Sequence, residues 1–185
     1  MKAFGPAAGL DAVADRLAHA LGITNRATAR ALASFGVEPV SALLVTWIPA
    51  VELAWSGGLT HAERRRLIGL VHGRHANLPD RAERLLNDWL ARRPNSALFR
   101  VGRRVLHAQL AALPPAERPA LIARVVGPCT DLADVSGGLL GFAAVSADER
   151  DWLLTLAGEL AVHGSEGDDT GSGLAASASS ASGLR

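Results

Sequence analysis

Residues 53–70 read "LAWSGGLTHAERRRLIGL", and residues 132–156 read "LADVSGGLLGFAAVSADERDWLLTL". Both carry Ser-Gly-Gly, and both then offer a Thr- or Ser-x-x-Glu-Arg start to an apolar run. In such a capping box the hydroxyl accepts from the backbone N–H three residues on, while the glutamate reaches back to the first residue's N–H. Thr60 with Glu63, and Ser146 with Glu149, are therefore expected to open helices. Gly57-Gly58 and Gly137-Gly138 are expected to close the preceding ones, because glycine enters positive φ at no steric cost and lets helices cross closely. A repeated punctuation mark implies a repeated unit, here helix, glycine turn, capped helix. The stretches 46–71 and 126–158 are expected to superpose.

Working outward, Leu10, Val13, Ala14, Leu17 and Leu21 recur at helical spacing, and Gly22 ends that helix. Thr24 is placed to cap the next, which stops at Gly36. Residues 38–55 read as one mostly apolar central helix, with Pro39 in its first turn and Pro49 kinking it in mid-course. The helix opened by Thr60 turns Leu67, Ile68, Leu70 and Val71 inward. The one after Pro79 buries Ala82, Leu85, Leu86, Trp89 and Leu90, and Pro94 breaks it. Leu98, Val101, Val105 and Leu106 share a face of the helix that follows. Beyond Pro114-Pro115 comes a helix interrupted near Gly127-Pro128, and a last helix runs from the Ser146 box to about Val162. The pattern predicts an all-α, compact pseudo-twofold bundle of seven to eight helices over residues 10–162. Residues 1–9 read as a flexible N-terminus. Residues 163–185 are a Gly/Ser/Ala-rich tail whose few large apolar groups cannot offset the entropy of ordering it.

Composition agrees with helices. Apolar residues make up 49% of the chain, aromatics only 4%, and Tyr is missing altogether, so the residues that strands collect are scarce. Cys129 is the single cysteine, which excludes an internal disulfide; beside Pro128 in an apolar stretch it reads as a buried, inert thiol. The most apolar window, residues 39–51, lies between Glu38 and Glu52 and is too short to cross a bilayer. No secretory pattern opens the chain, so a soluble cytoplasmic protein is expected.

A net charge of +1 conceals a basic middle: residues 61–107 hold eleven Arg against Glu63, Asp80, Glu83 and Asp88. Arginine suits phosphate and carboxylate contacts. Trp89 and Phe99, the aromatics in that stretch, sit on apolar faces and read as core rather than as base-stacking groups, so the arginines read first as a solvated face. His72 and His75 stand three apart on one helix, but no HExxH accompanies them. No P-loop, dinucleotide fingerprint or nucleophile elbow is present. Neither catalytic residues nor a cofactor are predicted.

The phrases "LGITNRATARALASFGVEPV" (21–40), "WIPAVELAWSGGLTHAER" (47–64) and "LADVSGGLLGFAAVSADER" (132–150), in that order, resemble the TerB-like family, named for tellurite resistance. The resemblance covers roughly residues 20–160. It implies two related helical halves packed into one bundle, and a non-enzymatic bacterial scaffold or stress-response module acting through protein contacts. It also implies an acidic cluster for a divalent cation. Family members usually have Asp where this chain has Gly57, so the cluster is reduced to Glu52, Glu63, Asp131, Asp134 and Glu149. Such a cation needs several converging oxygens, and no metal site is predicted; Glu63 and Glu149 are read first as capping residues. Two alternatives stand beside the scaffold: a divalent-cation-binding sensor, and an Arg-faced binder of nucleic acid or an anionic surface.

Overall fold

The structure, a computed structural model, describes residues 6–136, 154–156 and 158. Every regular element among them is helical: α1 (Pro6–Leu21), α2 (Arg26–Ser34), a 3-10 helix (Pro39–Trp47), α3 (Ile48–Ala54), α4 (His61–Arg74), α5 (Asp80–Ala91), α6 (Ser96–Ala112) and α7 (Arg118–Ser136). The fold is all-α. The second Ser-Gly-Gly turn, with Gly137, Gly138, Ser146 and Glu149, lies outside the described residues, as does the tail, so the superposition of the two halves concerns residues beyond this description.

Local chemistry accounts for most boundaries. Gly22, at φ +65°, ends α1, and the Ile23 N–H returns to the Ala18 carbonyl at 3.0 Å. The cap of α2 is Asn25 rather than Thr24: the Asn25 carboxamide oxygen accepts from the Thr28 N–H at 3.0 Å. Its extended backbone aims the side chain at the first turn, which moves the start by one residue. Asn95 caps α6 in the same manner through the Ala97 N–H. The carbonyl of Trp89, near the end of α5, accepts from the Trp55 indole at 2.9 Å, so a helix-end acceptor without an intrahelical partner is satisfied by a side chain from elsewhere.

The apolar stretch from Pro39 is central, as its composition predicts, but it is not one kinked helix. It runs as a 3-10 helix through Trp47 and then as α3, with Pro49 in the first turn of α3. Pro49 has no N–H to return to the Val45 carbonyl; the Ile48 N–H takes that acceptor instead, a tighter i−3 bond. Leu44, Val45, Trp47, Ile48, Ala50 and Val51 are all at most 1% exposed. The 3-10 helix packs against α1, α5, α6 and α7, and α3 packs against α4, α6 and α7. No single helix among the described residues is long and apolar enough to cross a membrane.

Helix α7 also departs from expectation, because it continues through Gly127-Pro128. Pro128 leaves the Arg124 carbonyl without its i+4 N–H. That carbonyl accepts from Arg74 Nη1 at 2.9 Å instead. Gly127 makes room: a Cβ there would stand 3.3 Å from Arg74 Nη2. A side chain from α4 thus supplies the donor that proline removed.

The predicted core positions Ala14, Leu17, Leu21, Leu67, Val71, Ala82, Leu86, Trp89, Leu90, Leu98, Val101, Val105 and Leu106 are buried, while Leu10, Val13, Ile68, Leu70 and Leu85 pack at its margin. Each fully buried large apolar side chain contributes about 1.5–3 kcal/mol relative to exposure. At the first of the two glycine turns no close helix crossing is found. Gly58 has φ +92° and turns the chain, but Gly57 does not have positive φ, and a Cβ on either would meet nothing within 4 Å. At Gly102 on α6, by contrast, a Cβ would stand 2.8 Å from Ile48 Cγ2 and 2.9 Å from Ile48 Cδ1. That glycine brings α6 against α3.

Candidate functional site

The acidic candidates are dispersed among structural tasks. Glu63 is 7% exposed and forms the expected capping box: its Oε2 accepts from the Thr60 N–H and the Thr60 hydroxyl, each at 2.7 Å, while Thr60 Oγ1 accepts from the Glu63 N–H at 3.2 Å. Glu52, on α3, is engaged by Arg103 of α6, with Nη2 to Oε1 at 2.7 Å. Its other oxygen, Oε2, is buried and has no hydrogen-bond partner among the described residues. Asp131 is half-buried on α7; Asp134 lies on the same helix with its side chain outside the described set, and Glu149 lies outside it altogether. Among the described residues no three His, Cys, Asp or Glu side chains come together as a ligand set. Glu52 and Glu63, the two candidates closest in sequence to the first turn, have separate partners.

Cys129 is fully buried on α7, where its Sγ–H donates to the Val125 carbonyl at 3.3 Å. Burial, and after it the nearby Glu52 carboxylate, push the thiol up to about 12. It is held as an unreactive thiol, in agreement with its apolar surroundings in the sequence.

The arginines do not form one band. Arg81 pairs with Glu38, and Arg103 with Glu52. Outside the 61–107 stretch, Arg26 pairs with Asp15 and Arg30 with Asp11, fastening α2 to α1. Two groups of basic side chains border hollows. The first is on α6, where Arg100, Arg103, Arg104 and His107 line a hollow of about 670 Å³ together with Asn25 and Thr28 from the start of α2. Helical spacing puts residues 100, 104 and 107 on one stripe. Arg100 is tied to Ser96 Oγ at 3.2 Å, Arg103 is neutralised by Glu52, and among the described residues no carboxylate lines the hollow.

The second group was not foreseen as a unit. Thr46, Trp47, Arg74, His75 and Arg124 line a hollow of about 570 Å³ walled by Ala120 and Ala123. The Arg74 guanidinium lies 5.3 Å from the centre of the Trp47 ring, and the Trp47 indole N–H reaches His75 Nε2 at 3.4 Å. Burial first, then the charges of Arg74 and Arg124, hold His75 below its ordinary value. In the sequence, His72 and His75 stand out together by their spacing, but they separate in space: His72 faces Glu83 at 3.8 Å, whereas His75 turns to Trp47. The only linear signal for this cluster is Pro128 inside a helical pattern, which demands a donor from elsewhere. Comparison of the chain with protein-family models, with curated proteins and with solved structures finds no match.

Proposed function

We propose that the chain is a non-enzymatic helical module, a scaffold of the TerB-like type, which works by binding another protein through acidic side chains of that partner. The observation that supports this reading is the α6 hollow, where Arg100, Arg104 and His107 share a stripe and no carboxylate among the described residues lines the wall. Guanidinium groups offer paired donors that match carboxylates. Three groups suited to chemistry are committed to structure: Cys129 is buried and protonated, Glu63 closes a capping box, and Glu52 faces Arg103. The bacterial setting, the stress-response role and the link to tellurite rest on the sequence resemblance alone.

The same arginines favour a second reading, an anionic partner in the form of nucleic acid. The two are separated by cross-linking in the native cell alongside anisotropy measurements with single- and double-stranded DNA and RNA. The scaffold reading expects a protein cross-link that disappears in an Arg100→Glu/Arg104→Glu variant. It also expects nucleic-acid binding that is weak and gone by about 0.15 M salt, because contacts made by few charges are lost through counterion screening. Submicromolar nucleic-acid binding that survives such salt, and is lost in the variant, would replace the first reading by the second.

A further inference from the structure

We propose that the hollow between α4, α7 and the end of the 3-10 helix is a binding site for a small soluble phosphate ester, its phosphate held by Arg74, Arg124 and His75. This site is separate from the α6 hollow and does not depend on the function proposed for it. The argument starts from the geometry of Arg74. One nitrogen of its guanidinium is fixed on the Arg124 carbonyl, which Pro128 leaves open, and its central carbon lies over the Trp47 ring, 5.3 Å from the centre. Nη2 rests against the Gly127 notch, where any side chain would press on it. A long, flexible side chain is thereby ordered before any ligand arrives, which lowers the entropy cost of binding.

His75 is oriented by the same cluster. The indole nitrogen of Trp47 can only donate, so His75 Nε2 must accept and the proton of the neutral imidazole sits on Nδ1. That leaves an N–H donor free of the Trp47 contact. Arg124 forms no ion pair among the described residues; Glu117 lines a neighbouring hollow that Arg124 also borders, but not this one. The two guanidinium charges outweigh the partial negative charge of about half a unit at the C-terminal end of α4. Donors from three side chains suit the three terminal oxygens of a phosphate ester, whereas a carboxylate is satisfied by one guanidinium fork. At about 570 Å³ the hollow exceeds a bare phosphate, and Ala120 and Ala123 offer apolar wall to the remainder of an ester.

The test is calorimetric titration of the full chain with glycerol 3-phosphate, inorganic phosphate and acetate at matched ionic strength, with Arg124→Gln and Arg104→Gln variants. Arg124 is exposed and forms no ion pair among the described residues, so its replacement is expected to leave folding intact. The expected result is saturable binding of glycerol 3-phosphate with Kd of about 1 mM or tighter. It is expected to weaken about tenfold or more in Arg124→Gln and to be unchanged in Arg104→Gln on the other hollow. Should Arg124→Gln fail to fold, the His75 imidazole resonances of the wild type decide: the ester must shift them saturably. Binding unaffected by Arg124→Gln, acetate binding as tightly as the ester, or no shift at His75 would each overturn the proposal. Vesicles of phosphatidylglycerol in phosphatidylcholine supply the last arm. Arg124-dependent sedimentation with them, without binding of the free ester, would overturn a soluble ligand in favour of a lipid headgroup.

Discussion

Cys129 and Glu63 illustrate how single residues here are spent on structure. Glu63 takes two donors from Thr60 with one oxygen, a capping box of the kind whose loss costs about 0.5–2 kcal/mol. Cys129 has a thiol pushed up to about 12, chiefly because a thiolate would be buried away from water, and then because the Glu52 carboxylate is close. At neutral pH the nucleophilic form is therefore almost unpopulated, and the sulfur is shielded from reagents besides. In 5,5′-dithiobis(2-nitrobenzoate) labelling at pH 8 the native chain is expected to release no chromophore on the scale of minutes. In denaturing urea it is expected to release one equivalent. Rapid labelling of the native protein would show that α7 opens readily or that the thiol is not buried.

Elements meet through a few sharp constraints. The crossing of α6 on α3 depends on Gly102, since a methyl group there would lie under 3.0 Å from two atoms of Ile48 and 3.2 Å from its Cβ. In an exposed helix interior, Gly→Ala is stabilising by about 1 kcal/mol. At position 102 the sign is expected to reverse, with a loss of about 1–3 kcal/mol from overpacking. Urea melts of Gly102→Ala, Ile48→Ala and the double variant test this. Ile48→Ala destabilises by opening a cavity, and the double variant is expected to be less destabilised than the sum of the two. Strict additivity would mean that α6 slides away from α3 at little cost. The joint between α4 and α7 is of another kind, a hydrogen bond from Arg74 that takes the place of the one Pro128 cannot make.

At the scale of the molecule, the basic hollow ties stability to pH. His75 has its folded pKa lowered by burial and by Arg74 and Arg124. As pH falls below about 6.5, the unfolded chain takes up this proton before the folded one does. Stability associated with His75 is therefore full above that pH and is lost as pH falls toward the folded value. His75→Gln removes the titration, while the acidic groups still titrate in both proteins. Between pH 7.5 and 5.5 the wild type is expected to lose more of its urea midpoint than the variant. Equal losses would show that His75 is not held neutral by its surroundings.

What is legible in the linear chain is what local chemistry sets. The Thr60 box, the stops at Gly22 and Gly36, the inward faces of α4 to α6 and the all-α class follow from short-range hydrogen bonding and from an apolar period of about 3.6 residues. Two boundaries turn on single residues that the apolar period does not show: Asn25 rather than Thr24 caps α2, and the stretch from Pro39 divides into a 3-10 helix and α3 because Pro49 withdraws an N–H. Helical spacing alone sets the stripe of Arg100, Arg104 and His107 on α6, but the charged contacts between helices belong to the tertiary structure. Arg74 meets the Arg124 carbonyl fifty positions along the chain, and Arg103 meets Glu52 fifty-one away. No periodicity encodes such pairings, because they follow from how buried helix faces stack, and that stacking turns on contacts as particular as Gly102 against Ile48.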